Sequence, residues 1–205
     1  MDELVALDVD VGSWRIGLLR PASAEDLIDE EAFARDEFLP YWAELWPSAV
    51  ALARHVHALP LAGVRVLELG CGLGLVSITA ALAGGDVLAT DWSEDALRAT
   101  KQNAERNDVT LETALVRWSD AAFLEPAGLV LAADVLYEDR NAKELAALLP
   151  EVVAHGGTAL LADPGRTHAK TFLGEMSVDW QLDRVERLEI PRGAIHRLRR
   201  NEDTE

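Results

Sequence analysis

Val66-Leu67-Glu68-Leu69-Gly70-Cys71-Gly72-Leu73-Gly74 is the stretch that decides the fold. An apolar run, interrupted only by Glu68, passes straight into glycines at alternate positions. The apolar residues 75–83 that follow read as a buried helix. A strand, a glycine loop and a helix make the first half of a nucleotide-binding βαβ unit. Residues 86–90 supply the next strand. It ends in Asp91, about twenty residues past the glycines, where an acidic side chain suits a pair of ribose hydroxyls. Glycine has no Cβ, so the loop can take positive φ and let a ligand lie against bare backbone.

The spacing separates cofactor classes. Dinucleotide folds use G-x-G-x-x-G and seat a pyrophosphate on a helix N-terminus. Here the third glycine comes one residue early and Glu68 precedes the loop. A carboxylate there repels a pyrophosphate but can hold an ammonium group through water or backbone. S-adenosylmethionine carries an ammonium, a sulfonium and a ribose, with no phosphate, and is the cofactor expected.

Working outward, residues 94–107 form a helix capped by Ser93, with acids in its first turn. Strands are expected at 111–116, 128–133 and 158–162, with a helix at 141–154. The tail reads as strands 178–190 and 194–200, joined by Pro191-Arg192-Gly193. The fold class is α/β: a doubly wound, Rossmann-like, mostly parallel seven-stranded sheet with an antiparallel C-terminal strand, helices on both faces and an N-terminal extension. In that extension residues 4–19 read as one or two strands. Residues 24–38 read as an acidic amphipathic helix with Leu27, Ala32, Phe33 and Phe38 as its apolar positions, ended by Pro40. A further helix spans 48–59, with Ala49, Leu52, Ala53 and Val56 on one face.

Ligands of such sheets sit beyond the carboxyl ends of the strands. The second strand there carries Asp91 and Trp92, the third Arg117-Trp118-Ser119-Asp120, and the fourth runs from Ala133 into Asp134-Val135-Leu136-Tyr137. Trp118 either stacks on an adenine, with Asp120 near its amino group, or plugs the core, and Trp92 presents the same choice. Cys71 is a small residue tolerated in a tight turn. Upstream, Tyr41, Trp42 and Trp46 lie within six residues between two helices. They suggest either a lid over a pocket or a clamp fixing the N-terminal helices to the sheet, and Trp46 is the one assigned to the ligand.

The 205 residues suffice for one domain with a sizeable core, and 49% hydrophobic content is ordinary for a globular chain. With 19 basic against 36 acidic residues the net charge is −17, which argues against a nucleic-acid partner and would draw in a cationic one at low salt. Cys71 is the only cysteine, which excludes an internal disulfide and a multi-cysteine zinc site. The five histidines show no H-E-x-x-H spacing, so no metal is expected. Acids at 2, 3, 8 and 10 interrupt any leader-like run, and the longest uncharged stretch, 69–85, carries five glycines and falls short of a membrane span. A cytoplasmic, non-membrane protein is expected.

From about Pro40 to Arg200 the chain resembles class I S-adenosylmethionine-dependent methyltransferases. Within them it resembles the seven-β-strand protein-lysine methyltransferases of family 16. The carriers are Trp46 before a helix, the Glu68 to Gly74 motif, Asp91, Trp118 and, most specifically, Ala133-Asp134-Val135-Leu136-Tyr137 with its D-x-x-Y. Pro40-Tyr41-Trp42-Ala43, Trp46-Pro47 and Asp163-Pro164-Gly165-Arg166 look most like the branch acting on the β subunit of electron transfer flavoprotein. The resemblance implies a cofactor site of Trp46, Glu68, Gly70, Cys71, Gly72, Gly74, Asp91, Trp92, Trp118 and Ala133. It implies that Asp134 and Tyr137 face the substrate amine, and that the partner is a protein presenting a lysine. It also divides the chain into an extension with lid helices, 1–60, and a methyltransferase domain, 61–205.

Such transfer needs position and a free amine lone pair. A lysine ammonium, with pKa near 10.4, is inert until it loses a proton, which a nearby sulfonium and an apolar channel would favour. Asp134 is expected to orient the amine or take its proton, and Tyr137 to bound the channel and accept an N–H bond. The alternatives are a small-molecule, nicotinamide-like N-methyltransferase and a non-catalytic S-adenosylmethionine-binding protein. Adenine and glutamine methyltransferases usually carry D/N-P-P-Y where this chain has Asp134-Val135-Leu136-Tyr137.

Overall fold

The computed structural model describes residues 4–23, 40–121 and 123–200. The acidic helix expected over 24–38 lies outside the described residues. β1 (Leu4–Val11) and β2 (Trp14–Pro21) form an antiparallel hairpin around Gly12 and Ser13. A 3-10 turn (Tyr41–Ala43) precedes α1 (Pro47–Val56), which starts on a proline whose missing N–H is harmless at a first helical position.

The main sheet then builds in βα steps: β3 (Arg65–Leu69), α2 (Leu75–Leu82), β4 (Asp86–Asp91), α3 (Glu94–Arg106) and β5 (Glu112–Leu115). A second 3-10 turn (Trp118–Asp120) leads to β6 (Ala127–Ala133), α4 (Asp139–Val152), β7 (Val153–Asp163), α5 (Thr167–Met176), β8 (Trp180–Val185) and β9 (Ala194–Arg200). Strand order is β5-β4-β3-β6-β7-β9-β8. All pairings are parallel except those of β9, which runs antiparallel to both neighbours. This is the doubly wound sheet with one antiparallel strand that the sequence pattern implies.

Alternation along the central strands splits the core into two layers. Val66, Leu129, Leu131 and Leu160 face α1 and α2, with Val11, Ile16 and Leu18 of the hairpin in the same cluster. Leu67, Leu69, Val130 and Leu161 face α4 and α5, around Leu145, Leu149, Phe172 and Trp180. A sheet buried on both faces explains why its strands read as continuous apolar runs.

The hairpin is held by side-chain amides. Asn107 accepts from Gly17 N–H at 3.0 Å and donates to Gly17 C=O at 2.8 Å, and Asn103 repeats the pattern on Leu19 at 2.7 and 3.1 Å. At the hairpin tip the backbone N–H of Ser13 and its hydroxyl meet His57 Nε2, and the Trp14 ring packs edge-on against His57 at 4.4 Å.

Several boundaries differ from the pattern reading, and α1 ends at Val56 rather than at 59. β7 begins at Val153, directly after α4, rather than at 158, and the expected helix stops two residues short. Gly156 at φ 73° makes an irregularity there, and the register with β6 jumps from Ala127↔Val153 to Leu129↔Thr158. β8 covers Trp180–Val185 rather than 178–190. Its continuation leaves Leu188 almost fully exposed before Ile190 returns to the core.

Candidate active site

The carboxyl ends of β3, β4 and β6, together with the segment before α1, open onto one cavity of about 700 Å³, a size suited to a whole small-molecule cofactor. The glycine loop turns out of β3 into the cavity wall. Its Gly72 N–H donates to Asp91 Oδ2 at 3.0 Å, while Asp91 Oδ1 accepts from Ser93 N–H at 3.0 Å. Asp91 is therefore fixed at the tip of β4 by backbone donors, and burial pushes its carboxyl up from the ordinary range against those bonds. Gly72 takes φ 52°, and a Cβ there would lie 3.3 Å from the Trp42 carbonyl. Glycine thus lets the Tyr41–Ala43 turn lie directly against the loop.

Beneath the loop Glu68 is buried and accepts the Ser77 hydroxyl of α2. Burial pushes its carboxyl up to about 8, against the Ser77 bond and with a further push from Asp91. Glu68 is thus mainly protonated at neutral pH until a cation comes alongside. Burial and these same two carboxyls also drive the Cys71 thiol up, so it is no nucleophile.

Asp134 follows β6 with φ 59°, a left-handed conformation that aspartate tolerates better than most residues, and its N–H donates to Ala162 C=O at 2.8 Å. Arg166 Nε donates to Asp134 Oδ1 at 2.6 Å, and Ser48 Oγ reaches Oδ2 at 3.3 Å. Tyr137 stands beside them, its phenol raised by burial against a hydrogen bond with Asn141. Tyr41 packs edge-on against both Tyr137 (5.3 Å between ring centroids) and Trp46 (6.0 Å), and Trp46 Nε1 donates to Tyr41 C=O at 2.9 Å.

Of the residues expected from the sequence, Trp46, Glu68, Gly70, Cys71, Gly72, Asp91, Trp92, Trp118, Ala133, Asp134 and Tyr137 all line this cavity. Gly74 does not. It is the N-cap of α2, and its Cβ position meets Thr100 of α3 at 2.9 Å, so it serves helix packing rather than the cavity wall. Asp120 is exposed and is not a wall residue. Trp118 lines the cavity and also packs on the α4 side of the core, and Trp42 does the same on the α1 side. Pattern reading missed Ser77 under Glu68 and Ser48 and Arg166 on Asp134. These contacts join residues 9, 86 and 32 positions apart, and no local spacing signals the longer two.

The donor set fits S-adenosylmethionine. Two carboxyls flank the glycine loop, one buried and ready to ionise beside a cation, the other fixed at a strand end, with aromatic rings lining the same cavity.

The chain is similar to known methyltransferases. The chain is 37% identical over 131 residues to the electron transfer flavoprotein beta subunit lysine methyltransferase of Danio rerio, a match covering 62% of this chain and 51% of that protein. It is 32% identical over 114 residues to the histone-arginine methyltransferase METTL23 of Homo sapiens, covering 51% and 60%. The chain spans about half the length of the first of these relatives. Among solved structures, a TehB-like SAM-dependent methyltransferase from Corynebacterium glutamicum superimposes with a TM-score of 0.63 at 16% identity, covering 87% of this chain and 98% of that one, which shows the shared fold. The model of a family described as lysine methyltransferase matches residues 41–179. That span exceeds half the chain and contains the glycine loop, Asp91 and the Asp134–Tyr137 segment, and the chain belongs to this family.

Proposed function

We propose that this protein uses S-adenosylmethionine to methylate a lysine side chain of a protein partner. The observation that carries the reading is one cavity lined both by the glycine loop with Asp91 and by the Asp134–Tyr137 segment. Bound there, S-adenosylmethionine would supply a sulfonium-activated methyl carbon for the amine lone pair, the carbon–sulfur electron pair remaining with sulfur in the product S-adenosylhomocysteine. Asp91 would receive the ribose hydroxyls, Glu68 would balance the ammonium and Trp118 would stack on the adenine. Tyr41 and Tyr137 would wall the acceptor channel, Trp46 would stand with the cofactor and Asp134 would orient the amine. Holding the amine in line provides much of the rate in such a reaction.

The test is transfer from methyl-labelled S-adenosylmethionine in a lysate of the source cells, separated into protein and small-molecule fractions. Label on a lysine of one protein is the expected result. Label on arginine, the residue named in the METTL23 relative, would keep the enzyme and change the acceptor. Label only in the small-molecule fraction would transfer the assignment to a metabolite enzyme. No label despite cofactor binding would leave a non-catalytic binding protein.

A further inference from the structure

The carboxylate meant for the acceptor is already engaged by a cation of the same chain. Asp134 is nearly buried, its side chain 4% exposed, whereas Arg166 retains 33% exposure, and the two meet at 2.6 Å inside the cavity. Arg166 is the N-cap residue of α5, and its own backbone N–H donates to Asp163 Oδ1 at 2.7 Å, as does that of Gly165. The guanidinium therefore projects from a turn anchored on the end of β7, the strand next to β6. Ser48 touches the second oxygen of Asp134 at only 3.3 Å, leaving that oxygen with lone-pair capacity toward the cavity.

A lone buried carboxylate would bind a lysine as its ammonium and hold on to the proton, which blocks attack on a methyl group. A carboxylate already matched by a guanidinium still accepts an N–H bond but adds little net charge. Resting on the functional reading above, we propose that Arg166 is a positioning residue for the acceptor amine: it clamps and neutralises Asp134, so that the carboxylate aims the amine without holding it as an ammonium ion. The amine's proton then leaves to water before the nitrogen–carbon bond forms. Other titratable and charged groups here are Asp163 at the end of β7, whose carboxyl is raised mainly by burial, with a push from Asp134 and a pull from Arg166, Tyr137, Glu138, Arg140 and Glu144 around α4, and Glu44 before α1. Glu138 pairs with Arg140 at 3.5 Å and Glu44 with Arg20 at 3.1 Å. Arg166 is the cation on the acceptor carboxylate itself.

The test compares Arg166→Gln, Arg166→Lys, Asp134→Asn and the double variant on a lysine peptide cut from the labelled protein, across pH 6 to 10. Thermal melts and S-adenosylhomocysteine affinity control for folding. For Arg166→Gln, kcat is expected to fall about tenfold at pH 7, the equivalent of one pKa unit on the amine, and to return toward wild type near pH 10. Arg166→Lys should fall between the two, because it keeps the charge and loses the planar guanidinium. Adding Arg166→Gln to Asp134→Asn should cost nothing further, since the arginine acts through the aspartate. A loss uniform in pH, no loss at any pH, or additive losses would each overturn the proposal while leaving the lysine reading intact. A wild-type enzyme that labels no lysine overturns both. Independently of any acceptor, the Arg166 Nε–H resonance should be protected from exchange in wild type and exposed in Asp134→Ala, which removes both acceptor oxygens. Equal protection in the two would dismiss the clamp.

Discussion

Gly72 donates its backbone N–H to Asp91 Oδ2 at 3.0 Å, so the glycine loop after β3 and the acid at the end of β4 hold each other. The acid thus shapes the loop as well as lining the cavity. Asp91→Asn keeps one acceptor oxygen where two are used, by Gly72 and by Ser93. Calorimetry should show S-adenosylmethionine affinity weakened at least tenfold, about 1.4 kcal/mol. Unchanged affinity would remove Asp91 from the ribose site.

Asp134→Ala should abolish transfer while S-adenosylhomocysteine affinity stays within a few-fold, because its carboxylate faces Arg166 and Ser48 rather than the glycine loop. Parallel loss of binding and rate would sink the acceptor role.

Glu68 gives a pH signature. Its folded pKa of about 8 lies above the unfolded value of 4.5, so the folded chain binds the extra proton between them. That stabilisation is complete below pH 4.5 and is lost as pH rises through about 8. His55 and His196 are both lowered by burial and act with the opposite sign, so the difference between wild type and Glu68→Gln is the quantity to measure. Chemical denaturation across this window should show wild type losing stability relative to Glu68→Gln as pH rises. In addition, a cofactor ammonium arriving beside Glu68 must expel its proton. Calorimetry in two buffers of different ionisation enthalpy should show proton release at pH 7, absent in Glu68→Gln.

Asn103 and Asn107 separate stability from binding. Each holds one hairpin residue, but Asn103 also donates to the Leu73 carbonyl in the glycine loop at 2.9 Å. Alanine at either position should destabilise the fold by about 1–3 kcal/mol through orphaned backbone groups. Only Asn103→Ala should also weaken cofactor binding. Equal affinities for the two variants would show that the Leu73 bond does not hold the loop in its binding shape.

Gly193→Ala should be far more damaging than an ordinary surface change. A Cβ at 193 would lie 1.9 Å from the Asp163 carbonyl, and the neighbouring Arg192 carbonyl already sits 2.6 Å from where Gly165 would carry one. The turn bearing Arg166 must move, and we expect a loss above about 3 kcal/mol by melting together with loss of transfer. A variant that melts like wild type would show that these turns do not pack against one another in solution.

The sheet was legible because its signals are local: an apolar strand running into alternating glycines, the acid about twenty residues on, and Ser93, which does accept the Ala96 N–H of α3 at 3.4 Å. Most of the cavity wall was legible for the same reason, since parallel strands bring their carboxyl ends to one edge. What stayed hidden depends on pairing between distant strands. Arg166 reaches Asp134 only because β7 lies beside β6. The start of β7 was obscured because a glycine irregularity breaks its apolar pattern. Nothing in the pattern of 94–107 signals the role of Asn103, which is fully buried and holds the hairpin.

The same helix also works as a ruler. Four residues of α-helix rise about 6 Å and two residues of strand about 6.6 Å, so amides four apart on α3 can grip peptide units two apart on β2, Leu19 and Gly17. A two-residue slip toward the C-terminus would bring Pro21, which has no N–H, to the place where Asn103 now accepts from Leu19. A one-residue slip would turn Ile16 and Leu18 out of the core. The hairpin, which shares no strand pairing with the main sheet, has its alignment checked from outside, one notch at a time.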